Sequence, residues 1–434
     1  MRSKVDRLSN LTTTQWLLIA AVFHISVTVS IFIVGHFRLL PNQFDQTGVG
    51  ISFSIDGVRY REISAQLADA LKHDGLAQWR RIDATVHCRI LSLSFVFPGS
   101  VVGYNILAAE PINLIYYLGI LVGIYLLARE VFDSKSGLVA AGLVAVWPSF
   151  LLHSTQFIRD SACIFYLVGL MLALAMLIGR TLAWTKALLI ALSSILLMTI
   201  FWATRGNLWN IVLAGLALAS LLLIVRLIRE RKLFLPNLTM LLVIIFTALV
   251  VPTRVPSPSL DDQRPPKAVV VLSGAPNSGQ TMWSRLVQQL RARREGFRAY
   301  RARASNIDED RTFYNDSDVF KYLPRAAVIG FFAPFPRMWF ESGTTGRPGR
   351  LLAALETLLM YFLYVPAAIC VWNDRRRLTM WLVFLFASVG MIALGLIVVN
   401  AGALFRLRYA FWILTIMLAV RGIEIVKGKY LMRS

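Results

Sequence analysis

Four short stretches of the chain set acids, phenols and guanidinium groups side by side. They are "DGVRY" with Asp56, Arg59 and Tyr60, "FIRDS" with Arg159 and Asp160, "ATRGN" with Arg205, and "FRLRY" with Arg406, Arg408 and Tyr409. A carboxylate can take the proton from an attacking hydroxyl, and guanidinium forks can grip and steady a departing phosphate two oxygens at a time. Such an inventory suits the transfer of a group carried on a phosphate. Each residue also has a plainer reading: Asp56 stands just before a helical pattern and fits an N-cap, while Arg159 and Asp160 fit an interfacial ion pair, or Asp160 a first-turn charge favoured by the helix dipole. Recurrence is the argument for chemistry, because Arg159, Arg205, Arg406 and Arg408 all fall at predicted helix ends on one face of a membrane.

The elements that must position these residues are membrane helices. Of 434 residues, 57% are hydrophobic and 16% charged, the mean hydropathy is +0.62, and several apolar runs are long enough to span a bilayer. The fold class is therefore an all-α polytopic membrane protein. The first run, "QWLLIAAVFHISVTVSIFIVGH" from Gln15 to His36, follows Arg2, Lys4 and Arg7. It is too long for a signal-peptide core and has no small-x-small cleavage site, so it reads as a retained helix with a cytoplasmic N-terminus.

Further spans are expected near 104–128, 137–156, 160–179, 184–203, 209–228, 236–252, 351–372, 378–400 and 407–425, about ten helices with both chain ends cytoplasmic. The loops this assigns to the cytoplasm carry Arg129 and Lys135, Arg180 and Lys186, "RLIRERK", "DRRR" and a basic tail, as the positive-inside rule requires. An additional crossing by "VHCRILSLSFVFPGSVVG" at 86–103 would invert everything after it, so this stretch reads as re-entrant or interfacial.

Two long segments then lie outside, which divides the chain into a transmembrane module (1–253, with a first outer loop at 37–103), a second outer loop (254–350) and a C-terminal helical part (351–434). The first loop contains an amphipathic helix with Ile63, Leu67 and Leu71 four apart, suited to lie along a membrane surface with Asp56 at its start. The second holds 16 Lys/Arg against 9 Asp/Glu, which suggests an anionic partner, and Arg291, Arg293 and Arg294 are expected to attract it.

Other motifs carry less. "SGAPNSGQT" at 273–281 resembles a phosphate loop with Gln280 in place of the lysine; it faces away from cytoplasmic nucleotides and reads as a turn leading into a helix with Trp283, Leu286, Val287 and Leu290 on one face. "DSD" at 316–318 resembles a metal-holding pair, but Asp316 and Ser317 are better explained as helix caps. His73 and the Asp83/His87 pair are weak metal hints, and Cys88, Cys163 and Cys370 form no CxxC. No cofactor, metal, nucleotide or nucleic acid is expected.

Taken together, "DGVRY", the long stretch from "NILAAEP" to "STQFIRDS", and the late "FRLRYAFWI" resemble the C-type superfamily of polytopic, lipid-dependent glycosyltransferases, the class of the dolichyl-phosphate-mannose protein mannosyltransferases and bacterial aminoarabinose transferases. The resemblance covers roughly 10–230 and 395–420, lacks the proline usual after the Arg/Tyr cluster, and has a single acid where paired ones are commoner. It implies a polyprenyl-phosphate-linked sugar donor, catalysis at the outer face of a bacterial inner (plasma) membrane, a lipid, glycan or protein acceptor, and Asp56 as general base. Arg59, Tyr60, Arg159, Asp160, Arg205, Arg406, Arg408 and Tyr409 would then be substrate contacts. An O-antigen or capsule polymerase or ligase is the alternative, with Arg285 to Gly296 matching a loose Arg-x10-Gly pattern; a flippase would call for matching half-repeats, and none is seen.

Overall fold

The computed structural model describes residues 13–44, 50–51, 54–255, 282–299, 306–314, 316–340 and 346–431. The "SGAPNSGQT" stretch lies outside them. Among the described residues the chain is helical, with two isolated bridges, Phe44 to Ile51 and Asn306 to Asn400. The helices are α1 (Thr13–His36), α2 (Ile55–His73), α3 (Gly75–Arg81), α4 (Val86–Val96), α5 (Gly99–Val102), α6 (Ile106–Val131), α7 (Ser134–Ala145), α8 (Pro148–Ser154) and α9 (Asp160–Gly179). Then follow α10 (Trp184–Arg205), α11 (Trp209–Glu230), α12 (Leu235–Arg254), α13 (Met282–Ala299), α14 (Asp316–Phe332), α15 (Gly346–Asn373), α16 (Leu378–Ile397), α17 (Ala401–Leu407) and α18 (Tyr409–Leu431).

Eight apolar stretches among the described residues are long enough to cross a membrane, or nine with the pair α7 and α8, which is bent by 69°. One of the eight, Trp184–Glu230, holds both α10 and α11. It is a hairpin and not one long rod, because Arg226 near its end donates to the carbonyls of Ile178 (2.8 Å) and Arg180 (2.9 Å), just before its start. Counted as two, it accounts for the ten expected helices. The bend falls where Pro148, which has no N–H to give, opens α8 and ends the preceding run. Residues 86–96 form a separate helix of 11 residues. At 1.5 Å per residue that is about 16 Å, too short to span, as the topology required.

The chain divides into two compact units, Met1–Gly123 with Ala141–Phe165, and Ile124–Ala140 with Tyr166–Ser434. In the second unit the short basic loops all meet at one end of the bundle. Arg180 pairs with Glu130 through Nε at 2.8 Å, Arg377 donates to the Val131 carbonyl (2.9 Å), Arg229 to that of Arg376 (2.9 Å), and Arg421 bridges Asp133 (2.8 Å) and Asp374 (3.0 Å). These arginines do more than set a charge bias, since they satisfy carbonyls that helix ends leave without partners. At the other end, Trp202 donates to the Val255 carbonyl (2.7 Å), Asn210 to Gln289 (3.3 Å), and the Ile307 N–H to Val399 (2.8 Å).

The described part of 254–350 is thus built onto this second end. Arg294, 1% exposed, is spent on architecture: it donates to the carbonyls of Arg311, Asp308 and Leu396, between the rings of Phe313 and Tyr322. Arg291 pairs with Asp316 (3.2 Å), which begins α14, and Asp318 accepts the Tyr314 N–H (2.9 Å) as a cap. The DSD carboxylates are helix-start residues, as expected. Asp308, gripped by Arg325 and Tyr322, is held below the usual carboxylate range chiefly by the Arg325 contact.

Small residues let the helices of this unit close on one another. A Cβ on Gly395 of α16 would collide with the Ala326 carbonyl of α14, and one on Gly330 of α14 with the Met391 carbonyl of α16. Close approach through small residues is how membrane helices gain packing contacts without a hydrophobic driving force between them. Gly395→Ala is therefore expected to cost about 1–3 kcal/mol, as overpacking does. The midpoint of unfolding in detergent measures it; an unshifted midpoint would show that the two backbones are not locked together.

The first unit is held by a buried polar knot. His24 of α1 meets Glu110 of α6 through Nδ1 (2.7 Å) and Ser154 of α8 through Nε2 (2.9 Å), while the Thr28 hydroxyl donates to the other Glu110 oxygen (2.7 Å). Ser154 gives its hydroxyl proton to the Leu151 carbonyl (2.8 Å), so the network assigns His24 Nε2 as donor to Ser154.

Candidate active site

Asp56 lies in the first turn of α2, behind the N-cap Ser54, and is exposed. It is therefore not the N-cap itself. Tyr60, four residues on, shares its helix face and is buried. The Arg159 guanidinium sits over the Tyr60 ring, 5.8 Å from the centroid, and Tyr60 meets the edge of His87 at 5.5 Å. His87 in turn bonds the Phe157 carbonyl at 2.7 Å. Arg159 is 7% exposed and Asp160, in the first turn of α9, 6%. Burial raises the Cys88 thiol above its usual range, while the Thr85 hydrogen bond and then the charges of Arg159 and Arg59 pull it back. Both cations therefore act on the same spot beside α4.

Two local features bring these groups together. Thr85 caps α4 by accepting the Cys88 N–H at 3.3 Å, which aims His87 and Cys88 at α2. Gly57 of α2 faces the loop between α8 and α9, where a Cβ would make ordinary contact, 3.7 Å from Phe157 and 3.8 Å from Ile158. "DGVRY" and "FIRDS", a hundred residues apart in the chain, thus form one cluster: an exposed carboxylate at the positive end of a helix dipole, with a guanidinium held on the same helix face.

Arg205, Arg406, Arg408 and Tyr409 belong to the second unit. Arg205 is buried where α10 turns into α11, and Arg406 is half-buried on α17. Arg408 stands at the C-cap of α17, a helix end as its sequence position suggested. It is fully enclosed and donates through Nη1 to the carbonyls of Gly330 (3.3 Å), Phe331 (3.2 Å) and Ala333 (2.6 Å), with Nη2 3.2 Å from the Met360 sulfur. The physical reason is that α14 ends there, leaving carbonyls that the following Pro334 cannot help to satisfy. Tyr409 donates to the buried Glu356 at 3.1 Å. Among the described residues no three His, Cys, Asp or Glu side chains gather as a metal site. Gln156 and the His24–Glu110 pair went unnoticed in the sequence, and His87 was singled out there only as a weak metal hint; an ionisable residue inside an apolar run was the signal for the His24–Glu110 pair.

If the stack over Tyr60 orients Arg159 for an anionic ligand, Arg159→Lys will lose both the planar stack and the two-oxygen grip. The expected result is a roughly tenfold weaker donor interaction, about the worth of one charge-assisted hydrogen bond. Donor titration against the variant measures it, and unchanged binding would leave Arg159 a structural residue.

Residues 112–255 match the family model described as oligosaccharyl transferase STT3, N-terminal. The matched stretch includes Arg159, Asp160 and Arg205 and leaves out Asp56. No curated protein matches the chain by sequence. Two solved structures from Archaeoglobus fulgidus are similar to it: the oligosaccharyltransferase AglB in complex with an inhibitory peptide and a dolichol-phosphate (15% identity, TM-score 0.49, 97% of this chain and 51% of that one), and the apo form of the oligosaccharyltransferase (13% identity, TM-score 0.49, 97% and 52%). The chain spans about half the length of these structures. The expected likeness to polytopic membrane glycosyltransferases of the C type is found, over residues 112–255.

Proposed function

Starting from that likeness, we propose that the chain is a lipid-linked-sugar-dependent glycosyltransferase, moving a sugar or oligosaccharide from a polyprenyl-phosphate carrier to an acceptor at the outer face of the membrane. The family description favours a protein acceptor. The observation that carries the reading is the Asp56–Tyr60–Arg159 cluster, an exposed carboxylate and a stacked guanidinium on one helix face.

The Asp56 carboxylate takes the proton from the acceptor as its heteroatom bonds to the anomeric carbon, and the carbon–oxygen bond to the carrier phosphate breaks with its electron pair leaving on the phosphate. Cations at the site steady that charge, and Arg159 is proposed as one of them. Arg59, Asp160, Arg205 and Arg406 are proposed as further substrate contacts on their chemistry, whereas Arg408 and Tyr409 are better read as holding the α14 end and Glu356. The loops clustered at one end of the second unit are proposed to face the cytoplasm of a bacterial plasma membrane, because their positive charge would be retained there.

The test uses the purified full chain in nanodiscs with a synthetic polyprenyl-phosphate-linked sugar and acceptor peptides, glycans and lipids. Sugar appearing on an acceptor, with free carrier phosphate released in equal amount, is the expected result. Movement of the intact donor between leaflets without transfer would overturn the reading in favour of a flippase.

A further inference from the structure

The loop between α8 and α9 ties the first unit together, and Gln156 is its centre. The side chain is wholly enclosed. Its Oε1 accepts the Ile51 N–H at 3.2 Å and lies 3.4 Å from the Ser54 hydroxyl; its Nε2 donates to the Thr155 hydroxyl at 3.0 Å. Its carbonyl accepts the Asn113 amide at 3.1 Å, and its N–H reaches the His153 carbonyl at 3.2 Å. Ser54 occupies the N-cap of α2, yet its hydroxyl donates back to the Ile51 carbonyl at 3.0 Å and makes no side-chain cap. The entry to α2 is therefore not fixed by its own cap. It is held from outside, by a neutral amide a hundred residues away, while Phe157 and Ile158 pack behind Gly57, the neighbour of Asp56.

The geometry points to Gln156 as a positioning residue for Asp56: by fixing Ile51 and Ser54 it sets where α2 begins, and so where the carboxylate of its first turn stands. The catalytic part of this inference rests on the proposed transfer reaction; the placement does not. A buried N–H that loses its acceptor pays the full desolvation cost, so the segment it belongs to opens more often. Asp56 would then occupy its working position for a smaller fraction of the time. Such a loss lowers turnover and leaves donor affinity alone, since Gln156, fully enclosed, is not itself a ligand contact.

The experiment compares Gln156→Met, of similar length but without an acceptor, with Gln156→Glu, which retains one, in the full chain in nanodiscs. Hydrogen exchange of the peptide spanning 50–62 is expected to quicken about tenfold in Gln156→Met, to stay near wild type in Gln156→Glu, and to stay unchanged in both over α11. In the transfer assay kcat should fall about tenfold in Gln156→Met with KM for the donor unchanged. If Gln156→Met does not fold, Gln156→Asn, one methylene too short to reach Ile51, replaces it with the same expected pattern. Unchanged exchange over 50–62 would overturn the placement; quickened exchange with unchanged kcat would overturn the link to Asp56. Should wild type show no transfer at all, the functional reading fails by itself, and the exchange result still decides whether Gln156 holds α2.

Discussion

Asp56→Asn will reduce sugar transfer by about a hundred- to ten-thousandfold, the usual worth of a general base, and will leave the fold intact. The side chain is exposed, so no core contact is lost, and the isosteric amide keeps the shape of the first turn of α2. The loss of one charge from a helix N-terminus contributes about 0.3–1 kcal/mol to the cost in stability. The defect should fall on kcat, because a base acts on the proton in flight and contributes little to holding the donor. Asp56→Glu, which keeps the carboxylate but moves it by a methylene, should recover part of the rate. Initial rates at saturating donor measure both. An Asp56→Asn enzyme turning over within about threefold of wild type would remove Asp56 from the chemistry, a change too small for a lost base.

The second large effect is structural and lies inside the first unit. Glu110→Ala leaves His24 facing a hole where its 2.7 Å partner stood and leaves the Thr28 hydroxyl only the more distant His24 carbonyl, at 3.2 Å, as acceptor. Hydrogen bonds between neutral groups of membrane helices are worth only about 0.6 kcal/mol on average, whereas breaking an enclosed ion pair costs about 3–5 kcal/mol. His24 is completely buried, with the tilted Tyr117 ring 4.3 Å away, so the larger figure is expected. Replacing both partners, His24→Phe with Glu110→Leu, removes the two polar groups at once and should recover most of the loss. Unfolding midpoints of the two single variants and the double variant complete the cycle. A Glu110→Ala cost below about 1 kcal/mol would identify the contact as an ordinary hydrogen bond between neutral groups.

These two acids show what the sequence discloses and what it withholds. Asp56 was visible because it heads an amphipathic pattern and stands in "DGVRY", and the spans were visible because twenty apolar residues have few other destinations. The Pro148 break and the short helix at 86–96 were readable from proline chemistry and from length. Glu110 sits in an equally legible span, but a lone acid in an apolar run does not disclose its partner, and His24 is 86 residues away. The arginines expose a deeper limit: a guanidinium pointed at a lipid phosphate and one pointed at the last carbonyls of a helix are bonded to oxygen either way. Arg408 and Arg294 look in sequence like Arg159, and only the position of α14 and of the 306–311 segment tells them apart. Gln156 is the extreme case, a neutral amide with no charge, period or motif to mark it.

The ties at the basic end of the second unit also set a schedule for synthesis. Asp133 waits for Arg421, and Ser136 for Glu424, both 288 positions later in the chain. At about 5–20 residues per second, the interval between making one partner and the other is about 15–60 s, far longer than a helix needs to form. Throughout it the α6–α7 corner stands with its carboxylate lacking the Arg421 bridge, and Asp374 of the α15–α16 turn, 47 positions before the same arginine, joins that wait only near its end. One late side chain therefore closes two corners at once, one made early and one made late. A chain that stalls between residues 374 and 421 leaves both acids without the Arg421 bridge, a mark by which an unfinished copy differs from a finished one.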